Sequence, residues 1–311
     1  MDNKLLLSSS PHIRASHTIN SVMRDVVIAL LPATIAGIYF FKMAAVKVIL
    51  VAVLAAVATE YVCQKLKKAP VTINDWSAVV TGLLLALNLP ASAPWWLPLI
   101  GSIFAIAIVK QSFGGLGHNF MNPALAARAM LVASWPVEMT AWVTPGADAV
   151  ATATPLGIIK EGTGDVLPSL MDVLVGNVAG CIGETSVILL VLGGLYLLYK
   201  GVIDIKIPAV YIGTVAVLTL IFGKGDFTGM IYQVCAGGLM IGAFFMATDY
   251  ASSPCTPKGQ IVFAFGCGLL TTIIRFFGGY PEGVSYSILI MNVAAPLIEK
   301  YTSPRVFGGA K

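Results

Sequence analysis

From Trp76 to Val109 the chain carries no charged residue. A water-soluble domain has no use for so long a neutral apolar stretch, because its helices and strands need a polar face. A bilayer does, since each spanning helix needs roughly 20 apolar residues. Pro90, Pro94 and Pro98 interrupt the stretch, so it reads as two helices joined by a tight hairpin. Composition extends the argument to the whole chain. Of its 311 residues, 57% are hydrophobic and 11% are charged, against roughly a quarter charged in soluble domains.

Charges and prolines divide the sequence into apolar runs at 26–41, 43–63, 77–90, 95–112, 119–134, 183–199, 207–223, 227–248, 259–276 and 283–299. The expected fold is an all-α polytopic membrane protein of about ten transmembrane helices. Several runs are too short for a straight span, which suits a transporter with broken helices around an internal site. The first 25 residues are polar and read as a lead into the first span, not as a cleavable signal. With that end inside, thirteen of the 19 Lys and Arg fall on inner segments and five on outer ones. Arg128 lies within a span. The bias predicts a multi-pass membrane protein with both termini cytoplasmic.

The expected organisation is a cytoplasmic segment (1–25), a first five-helix repeat (26–134), an extracytoplasmic segment (135–182), a second five-helix repeat (183–300) and a cytoplasmic tail (301–311). Gly82-Leu-Leu-Leu-Ala-Leu-Asn-Leu-Pro-Ala-Ser-Ala-Pro94 aligns without gaps on Gly242-Ala-Phe-Phe-Met-Ala-Thr-Asp-Tyr-Ala-Ser-Ser-Pro254, and Phe113-Gly-Gly matches Phe277-Gly-Gly. Five spans per half is an odd number, so the repeats are inverted and a pathway is expected at their interface.

A net charge of +4 without basic–aromatic interleaving gives no reason to expect nucleic acid as a partner. The five cysteines include no C-x-x-C pair, so no iron–sulfur or zinc site is expected. Gly114, Gly115 and Gly117 lie in a loop and lack the context of a dinucleotide fingerprint; they read as a tight turn. An arginine inside a span needs a partner or a wet cavity, so Arg128 is either a structural anchor or the ligand of an anionic group. Asn88, Thr248 and Asp249 carry hard oxygen atoms on the repeat segments and are candidates for an ion path; helix capping is the other reading. Glu184 and Glu282 read as helix-end carboxylates complementing helix dipoles, and His118 as a polar loop residue.

The outer segment contains Asp148-Ala-Val-Ala-Thr152-Ala-Thr154-Pro-Leu-Gly157. Read locally it is an accessible turn before a proline. It also resembles the flavinylation motif of a family that comprises the D component of the Rnf complex and the B component of the sodium-pumping NADH:quinone oxidoreductase. Ala151 and Thr152 depart from that motif, while Ala153-Thr154-Pro155-Leu156 keeps its core. Two further stretches resemble the same family: Phe113 through Arg128, and Phe245 through Asp249 continuing to Gly283. The resemblance implies an FMN joined through its phosphate to Thr154, with Asp148 as the motif's acid, Thr152 as a second attachment position and Arg128 as a candidate ligand of a flavin phosphate. It also points to a second, non-covalent flavin such as riboflavin. The implied partners are the Rnf components A, B, C, E and G, membrane lipid, and Na+ or H+. The implied function is that of the membrane flavoprotein of an Rnf-type complex, an enzyme that couples electron transfer between ferredoxin and NAD to ion export. The short N-terminal region favours this over the quinone-reductase component. A flavin-free inverted-repeat channel or transporter is the reading from another class.

Overall fold

The computed structural model describes residues 18–145, 152–161 and 167–304. These residues form helices and turns, with an isolated bridge between Pro90 and Cys181; none of the described residues forms a strand.

Helix α1 (Ile19–Leu66) opens on a capping box: Thr18 Oγ1 accepts from Ser21 N–H, and Ser21 Oγ accepts from Thr18 N–H. A straight helix of 48 residues would run about 72 Å. This one folds back on itself at Lys42, where φ is 52° and ψ is −134°. Asn20 Nδ2 therefore donates to Asn74 O at 2.9 Å, and Thr18 and Val22 line one cavity with Glu60 and Gln64. α1 is thus two helical runs, 19–41 and 43–66, and its helix begins within the segment read from sequence as a polar lead.

Helix α2 (Ser77–Leu87) stops three residues before Pro90. α3 (Trp96–Ile103) continues as a π-helical turn, Phe104–Gln111. α4 (Pro123–Ser134) starts on Asn122, which caps it, with proline at the first helical position. The 135–182 region is not an open loop. It holds α5 (Pro136–Met139), α6 (Pro155–Glu161) and α7 (Leu170–Val175). Leu156 of α6 and Val173 of α7 pack with Val178, Tyr232 and Ala236 in a small core of their own.

α8 (Val187–Tyr199) and α9 (Lys206–Phe222) follow. α10 (Phe227–Cys235) and α11 (Leu239–Ile241), which runs on into a π-helical turn at Gly242–Met246, form a pair bent by 58°. α12 (Pro257–Phe277) and α13 (Val284–Thr302) complete the fold. By length and composition α1 and α12 can cross a bilayer, the α10–α11 pair is a third crossing if taken as one broken span, and α2, α3, α4, α8 and α9 are shorter apolar helices.

α1 packs on α2, α3 and α8; α12 packs on α9 and α13. Leu54, Leu195, Ile221, Phe265 and Leu297 are exposed along the outside, as lipid-facing side chains are. Helices in lipid associate by close approach of small residues. Gly82 meets Ala52 and Val53 of α1, and Gly193 of α8 meets Ala29 O, from which an added Cβ would lie 2.2 Å. Gly193→Ala is expected to lower stability by about 1–3 kcal/mol, read as an earlier thermal melt of the detergent-purified protein. An unchanged melting point would show that the α1–α8 contact can yield.

Candidate functional site

The end of α2 meets the π turn that follows α11. Asn88 closes α2: its Nδ2 donates to Leu84 O at 2.7 Å and lies 3.7 Å from Met246 Sδ. Met246 ends the π turn after α11, and its carbonyl accepts from Asn122 Nδ2 at 3.3 Å. Asn122 Oδ1 meanwhile accepts from Ala124 and Leu125 N–H at the start of α4. Asn292 of α13 spans the gap, donating to Ser252 O and accepting from Asn122 N–H. Three buried amides, Asn88, Asn122 and Asn292, therefore tie the end of α2 and the start of α4 to the π turn after α11 and to α13.

On one side of this junction lies a charged cluster. Arg128 is 5% exposed. Its guanidinium donates to Asn88 Oδ1 at 3.2 Å, Ser285 Oγ at 3.0 Å and Cys181 Sγ at 3.4 Å, and it pairs with Glu282 Oε2. Cys181 N–H donates to Glu184 Oε2. Ligand atoms of Cys181, Glu184 and Glu282 lie within 4.8 Å of one another. Glu184 Oε1 and Glu282 Oε1 are enclosed without a partner among the described residues, an uncommon state for a buried acceptor. Arg275 of α12 lies at the same end, 4% exposed.

On the other side lies a second buried charge group. Lys110, at the end of the π turn, donates to both Glu60 oxygens at 2.8 and 3.0 Å and to Ser77 Oγ at 2.6 Å. Gln111 Nε2 adds a bond to Glu60 at 2.9 Å. Next to this group is a cavity of about 660 Å³, bounded by Glu60, Gln64, Gln111, the Gly114–Gly117 turn and Asp249. A second cavity, reached by Lys110, Asn119, Asn122, Thr248 and Asp249, runs up toward the amide junction.

Residues 6–308 match the NQR2, RnfD, RnfE family. The chain belongs to this family. It is 57% identical over 310 residues to the D component of the Na+-translocating ferredoxin:NAD+ oxidoreductase complex of Acetobacterium woodii, with 99% of this chain and 96% of that one covered. It is 51% identical to the D component of the proton-translocating ferredoxin:NAD+ oxidoreductase complex of Clostridium ljungdahlii (98% and 97% covered). It is 37% identical to the D component of the ion-translocating oxidoreductase complex of Halorhodospira halophila (97% and 95% covered).

Among this family's motif residues, Asp148 lies outside the described residues. Thr152 Oγ1 pairs with Thr144 Oγ1 at 2.8 Å, and Thr152 N–H donates to Trp142 O. Thr154 is 6% exposed and caps α6: its Oγ1 accepts from Gly157 N–H at 3.1 Å. α6 is pinned by Lys160, which donates to Ile274 O, Gly278 O and Tyr280 O around the end of α12. The hydrogen bonds of Arg128 go to the central cluster and none reaches residues 152–161, so the geometry does not pair it with Thr154.

Asn88 stands at the junction. Thr248 lines the second cavity while its Oγ1 donates to Phe244 O at 2.8 Å. Asp249 Oδ2 accepts from Ser252 Oγ at 2.9 Å and from Asn119 Nδ2 at 3.5 Å. Glu184 and Glu282, read from sequence as helix-end charges, also belong to the Arg128 cluster; Glu184 does cap a short helical turn, Ile182–Glu184, by accepting from Cys181 N–H. Glu60, Lys110, Cys181 and Arg275 are site residues that sequence reasoning misses. Glu60 carries a usable signal, a carboxylate inside the 43–63 apolar run, near its end.

Proposed function

We propose that this chain is the D-type membrane component of an Rnf-type enzyme, which couples electron transfer between ferredoxin and NAD to the movement of Na+ or H+. The full-length 57% identity to the Acetobacterium woodii relative carries this reading. The relatives' names cite sodium in one case and protons in another, so the coupling ion is left as either. The partners are the other components of the complex, A, B, C, E and G in the reading from sequence, together with membrane lipid.

The ten-crossing, inverted-repeat architecture is part of the proposal. Five helical units precede residues 135–182: the two runs of α1, then α2, α3 and α4. Five follow: α8, α9, the bent α10–α11 pair, α12 and α13. With both termini cytoplasmic, the Lys110 end faces inward and the Arg275 end outward. The ion would pass between the halves, by Thr248, Asp249 and Asn88.

The outer segment would hold FMN through a phosphoester to Thr154, with Asp148 and Thr152 beside it. The residues fit the group. Gly157 keeps space open beside the hydroxyl, since a Cβ there would lie 3.3 Å from Thr154 Oγ1. An ester oxygen keeps a lone pair for Gly157 N–H, so the cap of α6 survives attachment. A bound flavin supplies one- and two-electron transfer, and this segment's part is to hold and orient it. The 660 Å³ inner cavity falls in the size range of small-molecule sites, roughly 300–1,000 Å³, and is the place for a non-covalent riboflavin.

The test is a denaturing gel of the purified protein viewed for flavin fluorescence. The band should fluoresce, Thr154→Ala should abolish it, and Thr152→Ala should leave it. A dark wild-type band, from cells able to attach flavin, would overturn the covalent site; loss in Thr152→Ala alone would move it.

A further inference from the structure

Arg275 makes five hydrogen bonds, all to oxygen and four of them to backbone carbonyls. Nε donates to Glu282 O at 2.8 Å. Nη1 donates to Gln233 O and, at 3.1 Å, to Gln233 Oε1. Nη2 donates to Ala236 O and Gly237 O, each at 3.2 Å. Among the described residues no carboxylate is within salt-bridge distance of it. Its charge is met by dipoles instead.

The carbonyls are available because the helix breaks there. α10 ends at Cys235, and Gly237 and Gly238 turn the chain at φ 70° and 68° before α11 starts. Most of these oxygens are therefore C-terminal carbonyls without partners in their own helix. Converging backbone carbonyls are how proteins replace the hydration shell of an alkali cation, and broken helices in transporters present them for that purpose. Here the guanidinium stands where such a cation would stand.

The other half has a counterpart with a telling difference. The repeat alignment sets Ser77 against Gly237 and Gln111 against Arg275. Lys110, next to Gln111, donates to Ser77 Oγ at the start of α2. Both short half-helices thus begin beside a fixed cation. Lys110 is neutralised by Glu60, whereas Arg275 sits in carbonyls.

We propose that the oxygens of Gln233, Ala236, Gly237 and Glu282 form a monovalent-cation site that Arg275 fills as a tethered substitute, closing this end of the ion path to free alkali cations. The inference rests on the reading that the path runs between the two halves. Removing the side chain leaves these oxygens without a cation, and they would have to draw together around an alkali ion; lysine returns a cation to them.

The experiment uses the assembled complex in proteoliposomes without electron donor, following passive entry of radioactive sodium. Arg275→Ala should admit sodium about tenfold or more faster than wild type. Free guanidinium at low millimolar concentration should suppress the leak, and Arg275→Lys should stay tight. Arg275→Ala vesicles as tight as wild type, or a leak indifferent to guanidinium, would overturn the site. If Arg275→Ala does not assemble, the purified variant is melted in sodium, guanidinium or choline chloride. Stabilisation by the first two over choline supports the cage, and equal melting in all three overturns it. Asn88→Leu tests the underlying reading separately: normal coupled transport in that variant sinks the path between the halves. Blocked transport there with a tight Arg275→Ala sinks the cation site alone.

Discussion

Arg128→Met is expected to destabilise the protein by about 3–5 kcal/mol, the cost of stranding a buried charge. Glu282 loses its one cationic partner among the described residues; its other oxygen is already enclosed without one. Asn88 Oδ1 and Ser285 Oγ lose a donor at the same stroke. The loss would be read as an earlier melt of the detergent-purified protein and reduced recovery in the complex. Adding Glu282→Gln to Arg128→Met should return most of the stability, because a neutral amide in place of the carboxylate removes the stranded charge. Arg128→Lys should fall between, since one ammonium cannot reach oxygens and a thiol spread around a planar fork. Wild-type melting in Arg128→Met would mean that the cluster contributes nothing to holding the halves together.

Arg128 also marks how far the sequence can be read. Its position inside an apolar run requires a partner, but the partners lie 40, 53, 154 and 157 positions away, and separation of that kind leaves no local trace. The breaks are easier. Proline at 90 predicts the end of α2, and a lone lysine between two apolar runs predicts the reversal at Lys42. Asn88 and Met246, on segments that the repeat alignment pairs, do lie against each other.

The 135–182 region reads as loop because its helices are four to seven residues long. Pieces so short show no periodicity and form only by packing. Thr154 illustrates the difference: the sequence suggests an accessible turn, while packing of Leu156 and the grip of Lys160 draw the threonine inside. Lys110 and Arg275 look in sequence like ordinary end-of-helix charges. Their burial is a tertiary fact, set by the π turn in one case and the helix break in the other.

Lys110→Met should cost as much as the loss of Arg128, about 3–5 kcal/mol. The ammonium has three donors, and Glu60 Oε1, Glu60 Oε2 and Ser77 Oγ take all of them. One side chain therefore ties the second run of α1 to the start of α2 and the π turn after α3. Without it, Glu60, 1% exposed, would keep only the amide donors of Gln111 and Gln64, the latter at 3.4 Å. Lys110→Arg should not rescue. A guanidinium is larger than the slot, and overpacking a site that is 2% exposed costs about 1–3 kcal/mol. Lys110→Met with Glu60→Gln should recover most of the loss, measured as the coupling energy of a double-mutant cycle on thermal melts. The location of the pair gives this cycle a second use. Glu60 borders the 660 Å³ cavity while Lys110 borders the one that Asn122 and Thr248 also line, so the pair bridges the edges of both. A variant that folds without the pair but lets ions cross without electron transfer would show that the pair closes this end of the path; one that folds and stays tight would confine the pair to a structural role.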